Sequence, residues 1–186
     1  MMTETEVSWR LVSGCYEVLA NHVIGDLMQE NMEMLGGPQF TQQEYRFAER
    51  LAGQLSRMEK DGVIENFMAP EECRDQILSD NVLKNIDYGY AMAGSTDVGD
   101  VSHIVPLATM TAACWPVGIS SHTWMSCACT GSGIGLKAMI FAAKTLALTG
   151  YDLLTRPEEL GAAKEEFAKD TKGDCYQSPF DEVYEK

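Results

Sequence analysis

Two short segments of the sequence place hydroxyl, carboxyl and imidazole groups among glycines. Residues 94–100 read GSTDVGD and follow an apolar stretch. Ser95 and Thr96 could donate hydrogen bonds to a carboxylate or an oxyanion, and the glycines would let a ligand approach the backbone. The alternative interpretation is a Ser/Thr or Asx turn that caps the following segment. The residue types alone leave both interpretations open.

The second segment contains His122, within VGISSHTW at residues 117–124. A neutral imidazole in a loop of small residues can bind a metal ion, and it can also act as a base toward a substrate. His103 lies shortly after the first segment and could orient a substrate group, although a lone histidine is more often structural. His22 stands at a predicted helix start and is expected at the surface. His122 is therefore the best functional candidate of the three.

Two further segments resemble known motifs without matching them. The CAC at residues 127–129 lacks the spacing and the second cysteine pair of a zinc ribbon. The GSGIGLK at residues 131–137 has Leu136 where the dinucleotide fingerprint requires glycine. We interpret the cysteines as buried thiols and the glycines as positions of close packing. A thiol nucleophile in the CAC segment, with His122 as its base, is a further alternative that has no family signature.

Hydrophobic spacing predicts the elements that position these segments. Glycine pairs, a Thr41/Glu44 capping box and Pro-Glu-Glu starts mark the ends of the helices. Alternation of strands and helices favours a layered α/β sheet with its sites on loops at strand ends. Helices are predicted over residues 21–35, 42–58, 70–79, 135–148 (buried) and 157–169, and strands over residues 7–18, 88–93 and 107–115.

Composition narrows the class of protein. The 186 residues are 45% hydrophobic with a net charge of −14, which indicates one folded domain, or one with a fragment of another, and disfavours nucleic acid as a partner. The longest weakly polar run, residues 138–148, is interrupted by Lys144, so we expect no membrane partner. The N-terminus lacks the pattern of a secretory signal, and we expect a cytoplasmic protein with reduced cysteines.

A series of motifs in fixed order resembles one enzyme family. The motifs are LAN at residues 19–21, QEN at 29–31, PQFT at 38–41, GSTDVGDVS at 94–102, and SHTW at 121–124 followed by GLKA at 135–138. Their order resembles the co-catalytic dimetal aminoacylase and carboxypeptidase family of amidohydrolases, and within it the aminobenzoyl-glutamate hydrolase branch. The resemblance extends from about Ser13 to Phe180.

The resemblance implies a fold and a division into domains. Such enzymes have a three-layer α/β/α metallopeptidase-like catalytic domain and an inserted lid domain that mediates dimerisation. Residues 1–19 are then expected to be the last strand of the lid, and residues 20–186 the C-terminal part of the catalytic domain. The implied partner is a second copy, forming a homodimer, or a complementing N-terminal half.

The resemblance also implies a reaction and a set of site residues. The reaction is hydrolysis of an amide bond in an N-acyl or aminobenzoyl amino acid, with glutamate conjugates as the nearest analogy, by water activated between two zinc or manganese ions. His122 matches the family's final metal ligand. The residues expected to contact substrate are Gly94, Ser95, Thr96, Asp97, His103 and Trp124.

The other metal ligands and the general-base glutamate of such enzymes belong to a half that this sequence does not contain. One histidine cannot hold two cations. We therefore expect a portion of an enzyme that is inactive by itself and exposes apolar faces that the missing half would cover. The alternative is a non-catalytic fragment or subunit that requires a partner.

Overall fold

A computed structural model describes residues 3–10, 12–66, 73–84, 94 and 96–178. Over these residues the chain forms seven α-helices and no β-strand, so the predicted three-layer α/β/α fold is wrong. The helices are α1 (His22–Leu35), α2 (Gln42–Ala52), α3 (Arg57–Asn66), α4 (Val98–Ser102), α5 (Trp124–Thr130), α6 (Gly133–Thr155) and α7 (Pro157–Asp170).

Two of the three predicted strands fall on described residues, and neither joins a sheet. Residues 4–10 and 12–18 are irregular and exposed, and residues 106–114 carry no regular structure. Alternating apolar residues favour an extended chain, but a strand exists only where a neighbour completes its ladder of hydrogen bonds. In residues 106–114 the described backbone contact is to a helix start, where the Asn21 amide donates to the Leu107 carbonyl at 2.8 Å. The predicted strand at residues 88–93 lies outside the described residues.

Local capping chemistry accounts for the helices that the sequence predicts well. The Asn21 side chain accepts a hydrogen bond from the Ile24 amide at the start of α1, and Gly36 ends that helix with a φ of 68°. This φ lies in the left-handed region that favours glycine. The Thr41/Glu44 capping box begins α2 as predicted. Helix α7 starts at Pro157, which confirms the Pro-Glu-Glu signal.

Two helix predictions are wrong in their extent. The predicted helix over residues 42–58 is divided, because α2 ends at Ala52 and α3 begins at Arg57. The signal for the second start is Ser56 followed by Glu59, whose side chains and amides exchange hydrogen bonds of 2.7 to 3.3 Å. Of the predicted helix over residues 70–79, residues 70–72 lie outside the described part and residues 73–79 form turns and irregular chain.

Helices α1, α6 and α7 pack together and form the main body of the fold. Ile24 and Met28 of α1 meet the fully buried Ala163 of α7 in one apolar cluster. A buried polar contact joins α1 to α6, since the Asn31 side-chain amide donates to Asp152 Oδ2 at 2.9 Å and to Thr149 Oγ1 at 3.3 Å. A buried amide and carboxylate that satisfy one another fix the relative register of the two helices.

Helix α6 is longer than predicted and is not buried all round. Large apolar side chains along one side, including Leu136, Ile140 and Leu154, are half to almost fully exposed. The expected exposure of apolar faces is thus observed, whereas the prediction of a buried helix is wrong. By length and composition α6 would be able to cross a membrane, since 18 consecutive residues within it have a mean hydropathy of 1.2.

Candidate functional site

The first candidate segment leads into the short helix α4. The Thr96 hydroxyl accepts a hydrogen bond from the Val98 amide at 3.3 Å, so this side chain caps the following segment. This is the turn that the sequence offered as the alternative to an oxyanion site. Gly94, Thr96 and Asp97 are exposed, and Ser95 lies outside the described residues.

Residues 16–19 are bound against α4 through backbone and side-chain contacts. The Tyr16 amide donates to Asp100 Oδ1 at 3.1 Å, and the Leu19 amide donates to the buried Ser102 hydroxyl at 2.8 Å. A Cβ atom at the buried Gly99 would collide with the Tyr16 carbonyl, so glycine permits this close approach. Residues 16–19, which we call the N-terminal segment, therefore form one packed unit with α4.

His103 belongs to the same unit. Its Nε2 atom lies 3.1 Å from the Glu17 carbonyl oxygen, and its ring centroid lies 4.9 Å from that of Tyr16. The ring nitrogen therefore contacts Glu17 and the ring itself packs against Tyr16, which fixes the orientation of the imidazole. The structure gives His103 a packing role, and its predicted contact with substrate stays a prediction.

His122 and Trp124 lie at the start of α5. Thr123 is the N-cap of this helix and forms a capping box with Ser126, a Thr-x-x-Ser signal in the sequence that the strand and loop prediction missed. His122 directly precedes the cap, is exposed, and has a φ of 59°, which a non-glycine residue seldom adopts. Trp124 is 64% exposed. The imidazole and the indole at this helix start are thus both accessible from solvent.

The turn from α5 to α6 holds this end of the molecule close to the helical body. Ser132 is the N-cap of α6, and its hydroxyl donates to the Cys129 carbonyl at 2.6 Å. A Cβ atom at Gly135 would collide with the carbonyl of Thr130, which confirms that this glycine serves close packing. The glycine-rich stretch therefore begins α6, and the contacts of Ser132 and Gly135 are capping and packing contacts.

The two cysteines of α5 differ in environment. Burial, together with nearby Cys114, raises the pKa of Cys129 to about 11, and the side chain is fully buried as predicted. A thiol with this pKa stays protonated near neutral pH and is a poor nucleophile. Cys127 is exposed, which contradicts the prediction that both thiols are buried. The described contacts of Cys127 do not include a histidine, so the thiol-hydrolase alternative gains no support.

The two candidate segments are not joined into one site by the described contacts. The hydrogen bonds and ring contacts given above for α4 and His103 run to residues 16–19, and the hydrogen bonds of the α5 start stay within residues 120–130. Among the residues that the structure describes, no group of three His, Cys, Asp or Glu side chains could hold a metal ion. These residues therefore do not fit a two-ion centre, and His122 as a metal ligand stays a prediction.

A cavity of about 350 Å³ lies elsewhere, between α1 and residues 108–113. Its lining includes Asn21, Gln29 and Phe141, and the predicted site residues on described positions are not part of it. Two of the polar lining groups have protein partners, since Asn21 caps α1 and Gln29 donates to the Leu83 carbonyl at 3.0 Å. The motifs at residues 19–21, 29–31 and 38–41 each contribute to this lining, but the cavity itself could not be predicted, because residues far apart in the chain line it.

Comparison with known proteins supports part of the resemblance. No protein-family model and no solved structure matches the chain. The chain is similar to one subunit of the p-aminobenzoyl-glutamate hydrolase of Escherichia coli (strain K12), with 28% identity over 188 residues. The match covers 96% of this chain and 39% of that protein, so the chain spans about two-fifths of the relative's length. This similarity supports a relation to the aminobenzoyl-glutamate hydrolase branch; membership of the wider dimetal family stays a prediction.

Proposed function

We propose that the chain is part of a hydrolase that cleaves p-aminobenzoyl-glutamate or a related aminobenzoyl or N-acyl amino acid. The observation that carries the proposal is the similarity to the E. coli hydrolase, which extends over 96% of the chain. The reaction hydrolyses the amide bond with one water molecule and yields a carboxylic acid and the free amino acid. Because the match covers 39% of the relative, the proposed activity requires polypeptide that this chain does not contain.

The start of α5 is the described feature that best suits such a substrate. An aminobenzoyl group is a flat aromatic ring, and the exposed indole of Trp124 offers a flat surface for stacking. His122 precedes it by two residues and projects from a left-handed backbone position. We assign Trp124 to the acyl group and His122 to a metal ion, with Gly94, Ser95, Thr96, Asp97 and His103 as the predicted contacts to the rest of the substrate.

The proposed cofactors are two zinc or manganese ions in the complete enzyme. Since the described residues do not make up a two-ion centre, the ligands other than His122, and the general base, would come from outside this chain. The alternative function is a non-catalytic component that associates with a partner and supplies no ligand. A homodimer and a cytoplasmic location belong to the proposal as well.

A chimera tests the catalytic proposal. This chain would replace the segment of the E. coli hydrolase with which it aligns, and release of p-aminobenzoate from p-aminobenzoyl-glutamate would be followed. We expect hydrolysis by the chimera and none by the isolated chain. His122→Ala should lower kcat of the chimera by at least about 100-fold, since loss of a ligand costs no less than loss of its outer-shell support.

His22→Ala is the matched control, because it removes an imidazole from α1 and leaves the α5 start intact. An active chimera that tolerates His122→Ala as well as it tolerates His22→Ala would favour the non-catalytic alternative. Calorimetric titration of zinc and manganese into the isolated chain gives a readout independent of activity. Tight binding of two ions, abolished by His122→Ala, would show that this chain builds the centre without outside ligands.

A further inference from the structure

Helix α6 buries apolar side chains in its first half but polar ones in its second, which is unusual for a helix of a water-soluble monomer. The side that packs into the body carries Ile134, Ala138 and Phe141, followed by Thr145, Thr149 and Asp152. The opposite side exposes an apolar stripe at spacings of three and four residues. This outer face of α6 consists of Leu136, Ile140, Ala143, Ala147, Tyr151 and Leu154.

The outer face is large enough for a specific interface. From residue 136 to residue 154 it extends roughly 27 Å along the helix, at the usual rise per residue. Leu154 is 88% exposed, and Met139 and Leu146, which flank the stripe, are also more than half exposed. Contiguous apolar surface of this kind marks a site of association.

A groove with basic character adjoins the outer face. Its volume is about 390 Å³, and it runs between the end of α1 and the side chains of Leu136 and Ile140. Lys137 and Lys144 line it, and the lining contains no acidic residue. Lys137 is already paired, because its Nζ atom lies 2.6 Å from Glu44 Oε2. Lys144 is exposed and carries the charge that an occupant of the groove would meet.

The position of Lys144 decides among the possible occupants. It stands at the midpoint of α6, so pairing of two outer faces, parallel or antiparallel in register, would place the two lysines against each other. A charge at the middle of an apolar helix is costly in the centre of a bilayer. These features favour a different polypeptide that offers apolar side chains and a carboxylate.

We propose that the outer face of α6 is the docking surface for the polypeptide that makes up the remaining three-fifths or so of the relative's length, with an acidic side chain of that polypeptide opposite Lys144. This inference rests on the proposed function for the identity of the occupant. The surface itself follows from the exposed stripe, the groove and the exposed Lys144, which forms no ion pair with the residues that the structure describes.

Binding to a defined probe tests the surface. The probe is the E. coli hydrolase polypeptide from which the segment aligned with this chain has been removed. We expect it to bind the 186-residue chain, and Ile140→Glu or Leu154→Glu to weaken binding at least tenfold. Lys144→Glu should weaken it at least fivefold, whereas Lys144→Arg should retain it, because a carboxylate partner accepts either cation.

The matched control is Met58→Glu on α3. Met58 is 82% exposed and Leu154 is 88% exposed, so both changes place a carboxylate on water-exposed apolar surface and leave the fold intact. Met58→Glu should alter binding less than twofold. Equal loss in both variants, no loss in either, or no binding of the probe would overturn the proposal. So would a dimer of the chain alone that Ile140→Glu dissociates, or flotation of the chain with phospholipid vesicles.

Thiol labelling in the chimera gives a second measurement that does not depend on binding in trans. The labelling rate at each position is measured on the proteolytic peptide that contains it. For Leu154→Cys this rate should be at least tenfold lower in the chimera than in the isolated chain, whereas for Met58→Cys it should be the same in both. Unchanged labelling at both positions would overturn the proposal. A protected outer face in a chimera without hydrolysis would contradict the proposed function alone, and hydrolysis with an unprotected face would contradict the docking surface alone.

Discussion

The α1, α6 and α7 body and the two candidate-site segments are held in place in different ways. In the body, buried polar groups pair across more than a hundred residues, as Asn31 does with Asp152. At the start of α5, by contrast, Thr123 makes its hydrogen bonds to residues three positions away, and His122 and Trp124 are exposed. The first segment is intermediate, since Thr96 bonds locally but Asp100 accepts from the Tyr16 amide. Long-range pairs between buried groups confer rigidity, whereas exposed loop residues are oriented by what they bind. The body is therefore the more rigid part of the described structure, and the side chains of His122 and Trp124 are accessible from solvent.

The largest expected effect is at the buried pair in the body. Asp152→Ala removes the acceptor of the Asn31 amide and the partner of Arg156, whose Nη2 atom lies 2.9 Å from Asp152 Oδ1. We expect the free energy of unfolding to fall by about 2–3 kcal/mol, because a buried donor loses its acceptor. Denaturant unfolding measures the change.

Asp152→Asn is the control for that variant. It retains an oxygen that can accept from Asn31, so the expected loss is about 1 kcal/mol. If the two variants lower the free energy of unfolding equally, the hydrogen bond to Asn31 does not stabilise the body. The comparison between the body and the candidate-site segments would then fail.

A smaller effect that depends on pH is expected where α7 meets the start of α1. Burial raises the pKa of Glu166, but hydrogen bonds from the Val23 and His22 amides and from the His22 ring outweigh this and lower it overall. A carboxylate whose pKa is lower in the folded state stabilises the fold above the unfolded value near 4.5, and the stabilisation is lost as pH falls through the folded pKa. Glu166→Gln should cost about 1–2 kcal/mol near neutral pH.

The measurement is the free energy of unfolding of wild type and Glu166→Gln on either side of the folded pKa. The difference between them should shrink as the solution is acidified. Glu165→Gln, a neighbouring exposed carboxylate, should show no such convergence. A difference that stays constant with pH would mean that Glu166 contributes through packing and not through its charge.

The smallest effect is expected in the candidate-site segment. His122→Gly should change the free energy of unfolding by less than about 0.5 kcal/mol, because glycine relieves the left-handed strain while it loosens the unfolded chain. His122→Val should cost about 1–2 kcal/mol, since a branched side chain is poorly accommodated at that φ. Thermal unfolding compares the two. Equal losses would show that the imidazole makes a stabilising contact and that this segment resembles the body.

Parts of the candidate site could be predicted from local sequence. The turn at Thr96 was one of two stated alternatives, and the role of Gly135 in close packing followed from its place at a helix start. The contacts of His103 could not be predicted, because they depend on the approach of Tyr16 and Glu17 from the other end of the chain. The exposure of Cys127 could not be predicted either. Cys127 and Cys129 are separated by one residue, and only their neighbours in the folded structure make one exposed and the other buried.

The sequence by itself determined both ends of α1 and α7 and the start of α2. Asn21, the Thr41/Glu44 pair, Gly36 and Pro157 act on amides, carbonyls and dihedral angles within four residues, so their effects are legible without the fold. Only the tertiary structure decided that the apolar stretches form no sheet over the described residues and that α6 turns Thr149 and Asp152 inward. Those outcomes depend on hydrogen-bond partners and buried neighbours that lie far away in the chain, which local sequence preference does not specify.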